Sequence, residues 1–212
     1  IIGGTGSGKS SLVNLIPRFY DVREGAVLID GRDVREYSLT ELRHKVGVVP
    51  QKAVLFKGTL RENMRWGKKD ATDEEIYKAL TMAQAREFVD SKEQGLDLAI
   101  EQNGKNLSGG QRQRLTIARA LVKCPEILIM DDSASALDFA TDAKLRKAIS
   151  EGTEDMTVFL VSQRATTIRN ADQIIVLDDG QVAGLGTHEE LVKNCEIYRE
   201  ICLSQLSEKE VL

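Results

Sequence analysis

"GGTGSGKS", Gly3 to Ser10, is the stretch whose reading decides the fold. It satisfies G-x-x-x-x-G-K-[ST] at every fixed position. Glycines in this pattern let successive backbone N–H groups turn inward around phosphate oxygens. A helix is expected from Lys9 to Phe19, and its positive dipole end adds to the attraction. Lys9 can then reach the β- and γ-phosphates of a nucleotide, and the Ser10 hydroxyl can ligate Mg²⁺. The candidate phosphate contacts are Gly3, Gly4, Thr5, Gly6, Ser7, Gly8, Lys9, Ser10 and Ser11. A loop of this kind joins a strand to a helix, yet only Ile1 and Ile2 precede it. Two residues are short for a strand. The expectation is a piece of a longer polypeptide, truncated at its N-terminal side, with further strands upstream.

Working outward, five apolar runs read as strands: Ala26–Ile29, Val46–Val49, Ile127–Met130, Val158–Val161 and Gln173–Leu177. Their apolarity is mostly continuous, which fits strands covered on both faces in a mostly parallel sheet. Helix patterns lie between several of them, from about Gly109 to Lys123 and around Leu145 to Ile149. From Thr59 to Gln94 the pattern is helical without a strand-like run, with a capping box at Thr72–Glu75. This reads as a helical insertion in an α/β core. The expected boundaries are a core of about 1–58 and 115–212 and a helical subdomain of about 59–114. "LDDGQVAG" has the Asp-Gly turn of a hairpin, and "THEE", Thr187–Glu190, caps a closing pair of helices.

Composition sets outer limits. The chain has 212 residues, 42% hydrophobic and 29% charged, with 29 Lys plus Arg against 33 Asp plus Glu. A net charge of −4 gives no reason to expect nucleic acid as a partner. The three cysteines, Cys124, Cys195 and Cys202, have no metal-type spacing, and a reducing compartment suits them. Cys195 and Cys202 share one helical face and read as core. No apolar run approaches the ~18 residues of a membrane span, so this piece is expected to be soluble.

Two further motifs carry chemistry. "ILIMD" places Asp131 at the carboxyl end of a central strand, where open α/β sheets bind ligands. A carboxylate there suits the Mg²⁺ shell. "LSGGQRQR", Leu107–Arg114, puts Ser108 at a helix start, followed by two glycines that expose N–H groups. That is a second anion-binding surface. A plain serine cap does not account for two phosphate surfaces on one chain. Two such chains facing each other, with nucleotide between them, would.

These residues resemble the ATP-binding-cassette (ABC) family, in order, over essentially the whole chain. "GGTGSGKS" resembles its Walker A motif, "ILIMD" its Walker B, "LSGGQ" its signature, and "SALD", ending at Asp138, its D-loop. Gln51 in "VVPQ" matches the Q-loop glutamine, which in the family touches Mg²⁺ and signals to the membrane domain. The resemblance implies a P-loop NTPase core with a helical subdomain. It implies ATP and Mg²⁺ as cofactors, with Ser10, Gln51 and Asp131 on the metal and Ser108, Gly110 and Gln111 on a partner's nucleotide. "LFKGTLRENMRWG" and "GQVAGLGTHEELV" look like the exporter branch. That branch implies an upstream transmembrane domain, a place on the cytoplasmic face of the cell membrane, and a second ATP-binding domain as partner. The family's adenine-stacking aromatic would lie upstream.

Two positions depart from the family. Its water-polarising glutamate after Walker B is here Asp132, and its switch histidine after the next strand is here Gln163. The two histidines, His44 and His188, belong to other segments. Asp is shorter than Glu by one C–C bond, and displacements of ~1 Å can cost ~10²-fold. Gln163 carries neither proton nor charge. The expectation is retained ATP binding and slow or absent hydrolysis, with the intact signature completing a site on a non-identical partner. This resembles the degenerate-site subunit of bacterial heterodimeric multidrug exporters. A competent homodimeric exporter, an import ATPase, a DNA-repair or chromosome-organising relative and a regulatory module are the alternatives. The DNA-repair or chromosome-organising class fits poorly with the short Gln51–Leu107 interval. Trp66 is expected to pack within the helical subdomain, and Arg112 and Arg114 to lie on a solvated helix face. Glu101 and Gln102 occupy the segment in which exporters sense their membrane domain.

Overall fold

The computed structural model describes residues 1–133, 136–152 and 155–207. The chain forms two compact units, one of Ile1–Leu39 with the chain from Phe159 onward, the other of Thr40–Val158.

In the first unit, strand Ile2–Gly3 runs parallel to Ile174–Asp178, with Ile2 opposite Val176 and Gly3 opposite Leu177. The Ile1 carbonyl also accepts from the Ser162 amide at 3.1 Å. Ile174–Asp178 pairs antiparallel with Gln181–Gly186 across a bulge between Val182 and Gly184. Asp179 and Gly180 both take left-handed backbone, φ 43° and 76°, the geometry a two-residue hairpin turn needs. The core gathers Ile2, Ile174, Val176, Leu191, Tyr198 and Cys202. Helices His188–Asn194 and Glu196–Leu203 supply its far wall, the first opened by a complete Thr187–Glu190 capping box. Cys195 and Cys202 are both buried there.

Two expectations are corrected in this unit. Ala26–Ile29 does not give a buried parallel strand. Only Leu28–Ile29 is extended, paired antiparallel with Arg32–Asp33, and Leu28 is 59% exposed. Asp30 and Gly31 turn left-handed, so the chain folds straight back on itself. The helix after the loop stops at Asn14 rather than Phe19. Pro17 disfavours helical backbone at Ile16, and Arg18 is left-handed at φ 54°.

In the second unit, Val46–Val49 pairs in parallel with Ile127–Asp131, residue for residue from Val46 opposite Ile127 to Val49 opposite Met130. The Thr157 amide donates to the Glu126 carbonyl at 2.9 Å. Leu128, Ile129 and Met130 are buried, as continuous apolarity requires. Helices Leu60–Arg65, Asp73–Met82, Arg86–Asp90 and Gly109–Leu121 make up the helical part. The Thr72–Glu75 capping box is complete, and a second one, Thr59–Glu62, starts Leu60–Arg65. Gly67 lies so near helix Gly109–Leu121 that a Cβ would sit 2.1 Å from the Arg119 carbonyl oxygen. Helix Phe139–Gly152 follows the Walker B strand. Among the described residues no helix is long and apolar enough to cross a membrane.

Candidate nucleotide-binding site

The glycine-rich loop lies in the first unit. Gly3 ends the strand so close to its neighbour that a Cβ would stand 2.1 Å from the Leu177 carbonyl oxygen. Gly6 and Gly8 are left-handed, φ 85° and 93°, which L side chains resist. Gly8 is the N-cap of helix Lys9–Asn14. Gly4, Thr5 and Gly6 are exposed, as are Ser10 and Ser11. Lys9 is buried and folds back across the loop. Its Nζ donates to the carbonyls of Gly3 (2.8 Å) and Gly4 (2.6 Å) and to Ser7 Oγ (3.3 Å). The ammonium is therefore held within the glycine loop, where a phosphate group would meet it. An open apolar cavity of about 520 Å³ adjoins Ser7, Gly8 and Ser11, walled by Leu12, Leu15, Tyr20, Leu177 and Val182.

Gln163 also belongs to this unit. It is exposed, and Gln205 holds its backbone by donating to the Gln163 carbonyl at 2.7 Å while accepting from the Ala165 amide at 2.9 Å. Gln205 had no sequence signal, because it acts across 42 residues of chain.

The second unit carries Gln51, Asp131, Asp132 and the signature. Asp131 closes the Ile127–Asp131 strand. Asp132 steps off it with left-handed backbone, φ 43°, a region Asp tolerates better than most residues. Gln51 Nε2 donates to Asp132 Oδ2 at 3.2 Å. The strand register explains the meeting: Val49 faces Met130, so the residues two steps further on emerge side by side. The loop beyond Gln51 is pinned by Asn63, whose side chain accepts from the Phe56 amide and donates to the Phe56 and Thr59 carbonyls. Arg119 donates to the Val54 carbonyl at 2.8 Å; burial pulls its pKa down. A buried Asn in a helical first turn is the signal that could have found the first of these clamps.

At the signature, Ser108 Oγ accepts from the Gln111 amide (3.2 Å) and Gln111 Oε1 accepts from the Ser108 amide (2.9 Å), a full capping box. Ser108 and Gly109 are exposed, with Gly110 half-buried. A Cβ on Gly110 would be in contact with the Ala136 carbonyl and Leu137, so the signature helix begins against the D-loop. Ser135, the first residue of "SALD", lies outside the described residues. Asp138 caps the next helix, accepting from the Thr141 amide at 2.9 Å and hydroxyl at 2.7 Å. The amide bond, then the hydroxyl, hold its carboxyl below the usual range.

Two minor expectations change. Arg112 and Arg114 are not a solvated face. Arg112 donates to the Leu107 carbonyl at 2.6 Å and Arg114 to the Gln84 carbonyl at 2.7 Å. Trp66 is 70% exposed, tilted against Phe56 with centroids 4.9 Å apart. Glu101 and Gln102 are exposed, with the Glu101 amide bonded to Asn106 Oδ1.

Each unit offers oxygen donors that would suit a cation, the first the Ser10 hydroxyl and the second the Gln51 amide and the Asp131 carboxylate. This set suits a hard ion that keeps water and phosphate oxygens as its other ligands, the habit of Mg²⁺. Among the described residues no group of three or more His, Cys, Asp and Glu could hold a metal by itself.

Known proteins resemble this chain along nearly its whole length. Over 208 residues the chain is 48% identical to an uncharacterised ABC transporter ATP-binding protein of Mycobacterium tuberculosis, covering 97% of this chain and 35% of that protein. It is 42% identical to an ATP-dependent lipid A-core flippase of Hahella chejuensis, over 99% of this chain and 36% of the other. The fold matches a bacterial Atm1-family ABC exporter solved with ATP bound, at TM-score 0.93 and 38% identity, over 98% of this chain and 36% of that one. The chain thus spans about a third of the length of these relatives. The family model described as "ABC transporter" matches residues 1–135; this chain belongs to the ABC transporter family and has its ATPase fold.

Proposed function

We propose that this chain is the ATP-binding domain of an ABC exporter and drives export by closing on a second such domain around ATP. The observation that carries the reading is the pair of phosphate surfaces. One is the glycine loop crossed by Lys9 Nζ; the other is the exposed, boxed corner at Ser108. On the family resemblance, the loop, Lys9 and Ser10 are assigned to the chain's own phosphates and Mg²⁺, and Asp131 and Gln51 to that Mg²⁺. Ser108, Gly110 and Gln111 face the partner's. When bound, Mg²⁺ neutralises charge on the phosphate oxygens. The exporter relatives favour an attached or associated transmembrane domain at the cytoplasmic face of a membrane.

The chain's own site hydrolyses slowly. Asp132 is one methylene short for a water-polarising base and already accepts from Gln51, while Gln163 offers no proton. Loss of general-base help costs roughly 10²–10⁴-fold. The partner supporting this half is then a non-identical domain that has both missing groups. The test is ATP turnover by the full-length polypeptide, alone and with its partner. Asp132→Glu combined with Gln163→His should raise turnover at this site at least ~10-fold. Unmodified protein that turns over as fast alone as the double variant would overturn the slow-site reading and favour a competent homodimer.

A further inference from the structure

Resting on the proposal that this chain binds Mg²⁺ with ATP, we infer that Asp132 is a positioning residue for Gln51: its carboxylate holds the Gln51 amide by the nitrogen, so that the amide oxygen is the atom presented to the metal. A glutamine side chain has two ends of opposite character, an NH₂ that donates and a C=O that accepts. A cation needs the oxygen. With nothing to choose between them, the amide can present either end. Here Nε2 is committed to Asp132 Oδ2 at 3.2 Å, and a carboxylate can accept that bond but never donate it. The orientation is therefore selected by chemistry as well as by geometry.

The backbone builds this contact. Val46–Val49 and Ile127–Asp131 are parallel and in register, so Gln51 and Asp132 leave their strands together. Left-handed backbone at Asp132 turns its short side chain aside from the strand direction. The shorter arm suits this role, because a carboxylate close to its own Cα stays beside the neighbouring strand end. Groups that hold metal ligands in place commonly change metal affinity 10–100-fold when removed. The Asp132 carboxylate then has a role other than proton abstraction.

The experiment uses the full-length polypeptide with a non-hydrolysable ATP analogue and Mn²⁺ as the probe, read by electron paramagnetic resonance. Asp132→Gly removes the acceptor without straining the left-handed backbone. It should weaken Mn²⁺ binding about 10-fold or more. Asp132→Asn tolerates the same backbone but has an amide that can donate as well as accept, so it should lose part of the Mn²⁺ affinity, though less than Asp132→Gly does. Analogue binding in the presence of chelator should be the same in all three proteins. In a Gln51→Ala background, Asp132→Gly should have no further effect on Mn²⁺. Mn²⁺ bound equally well by Asp132→Gly and unmodified protein would overturn the inference while leaving the nucleotide reading intact. Unmodified protein that binds no analogue would overturn that reading, and the inference with it.

Discussion

Gly3 and Gly4 stand side by side in the phosphate loop and have different physical reasons to be glycine. A Cβ on Gly3 would meet the Leu177 carbonyl oxygen at 2.1 Å, whereas one on Gly4 would meet nothing within 4 Å. Overpacking against backbone costs about 1–3 kcal/mol, so Gly3→Ala should lower Tm by roughly 5 °C. Gly4→Ala should leave it nearly unchanged; differential scanning calorimetry of the two checks this. A charged pair makes a second prediction at this scale. The Arg35 guanidinium, then the Arg35 amide, hold the Asp33 carboxyl down to about 2. A depressed pKa means that the charged form is favoured in the fold. Its support for the Leu28–Ile29/Arg32–Asp33 turn is present above the ordinary value of 3.8 and fades as pH falls toward about 2. An NMR titration should give Asp33 a midpoint near 2, rising toward the ordinary value in Arg35→Ala. No sequence motif marks Asp33; its pairing with Arg35, two positions on, is decided by how the turn closes.

At the scale of elements, four helices among the described residues open with a reciprocal capping box: Thr59–Glu62, Thr72–Glu75, Ser108–Gln111 and Thr187–Glu190. The motif is local, three residues apart, which is why the boxes at Thr72 and Thr187 could be read directly. Loss of such a cap costs about 1 kcal/mol. Thr72→Ala and Ser108→Ala should therefore lose similar stability by denaturant unfolding. Only Ser108→Ala should also weaken ATP-driven association with the partner domain, measured by analytical ultracentrifugation, because only that corner faces a phosphate in the proposed assembly. Equal association in both variants would count against the signature's role. Elsewhere local reading failed for a stated cause. Ala26–Ile29 has the apolarity of a buried strand, but its Asp-Gly turn folds it into a two-residue ladder with Leu28 exposed.

At the scale of the molecule, the thiols report how each region is packed. Cys124 is exposed, whereas Cys195 and Cys202 are buried, and burial pushes the Cys202 thiol up in pKa. Thiolate is the reactive form. In a chain of this sequence, a colorimetric thiol reagent should label Cys124 alone in the native state and all three cysteines after denaturation. Labelling of Cys195 or Cys202 in the native state would mean that the closing helices do not stay packed over Ile2, Ile174 and Val176. These helices follow the hairpin by a short connection, so their existence is evident from the capping box and the periodic apolar positions. What they cover is not, since Ile2 lies at the opposite end of the sequence.

The sequence by itself determined the family, the glycine-rich loop, the strand ending in Asp131 and the helix that opens at Ser108. Each is written in residues close together along the chain, where backbone geometry and side-chain type are enough to state the chemistry. Only the tertiary structure decided that Gln51 reaches Asp132, that Gln205 holds the backbone at Gln163, and that Asn63 and Arg119 pin the loop between Gln51 and the helical part. Those contacts depend on strand register and on packing between distant segments. A hydrogen bond selects its partner by position to within a few tenths of an ångström, and no residue pattern along the chain specifies position so finely.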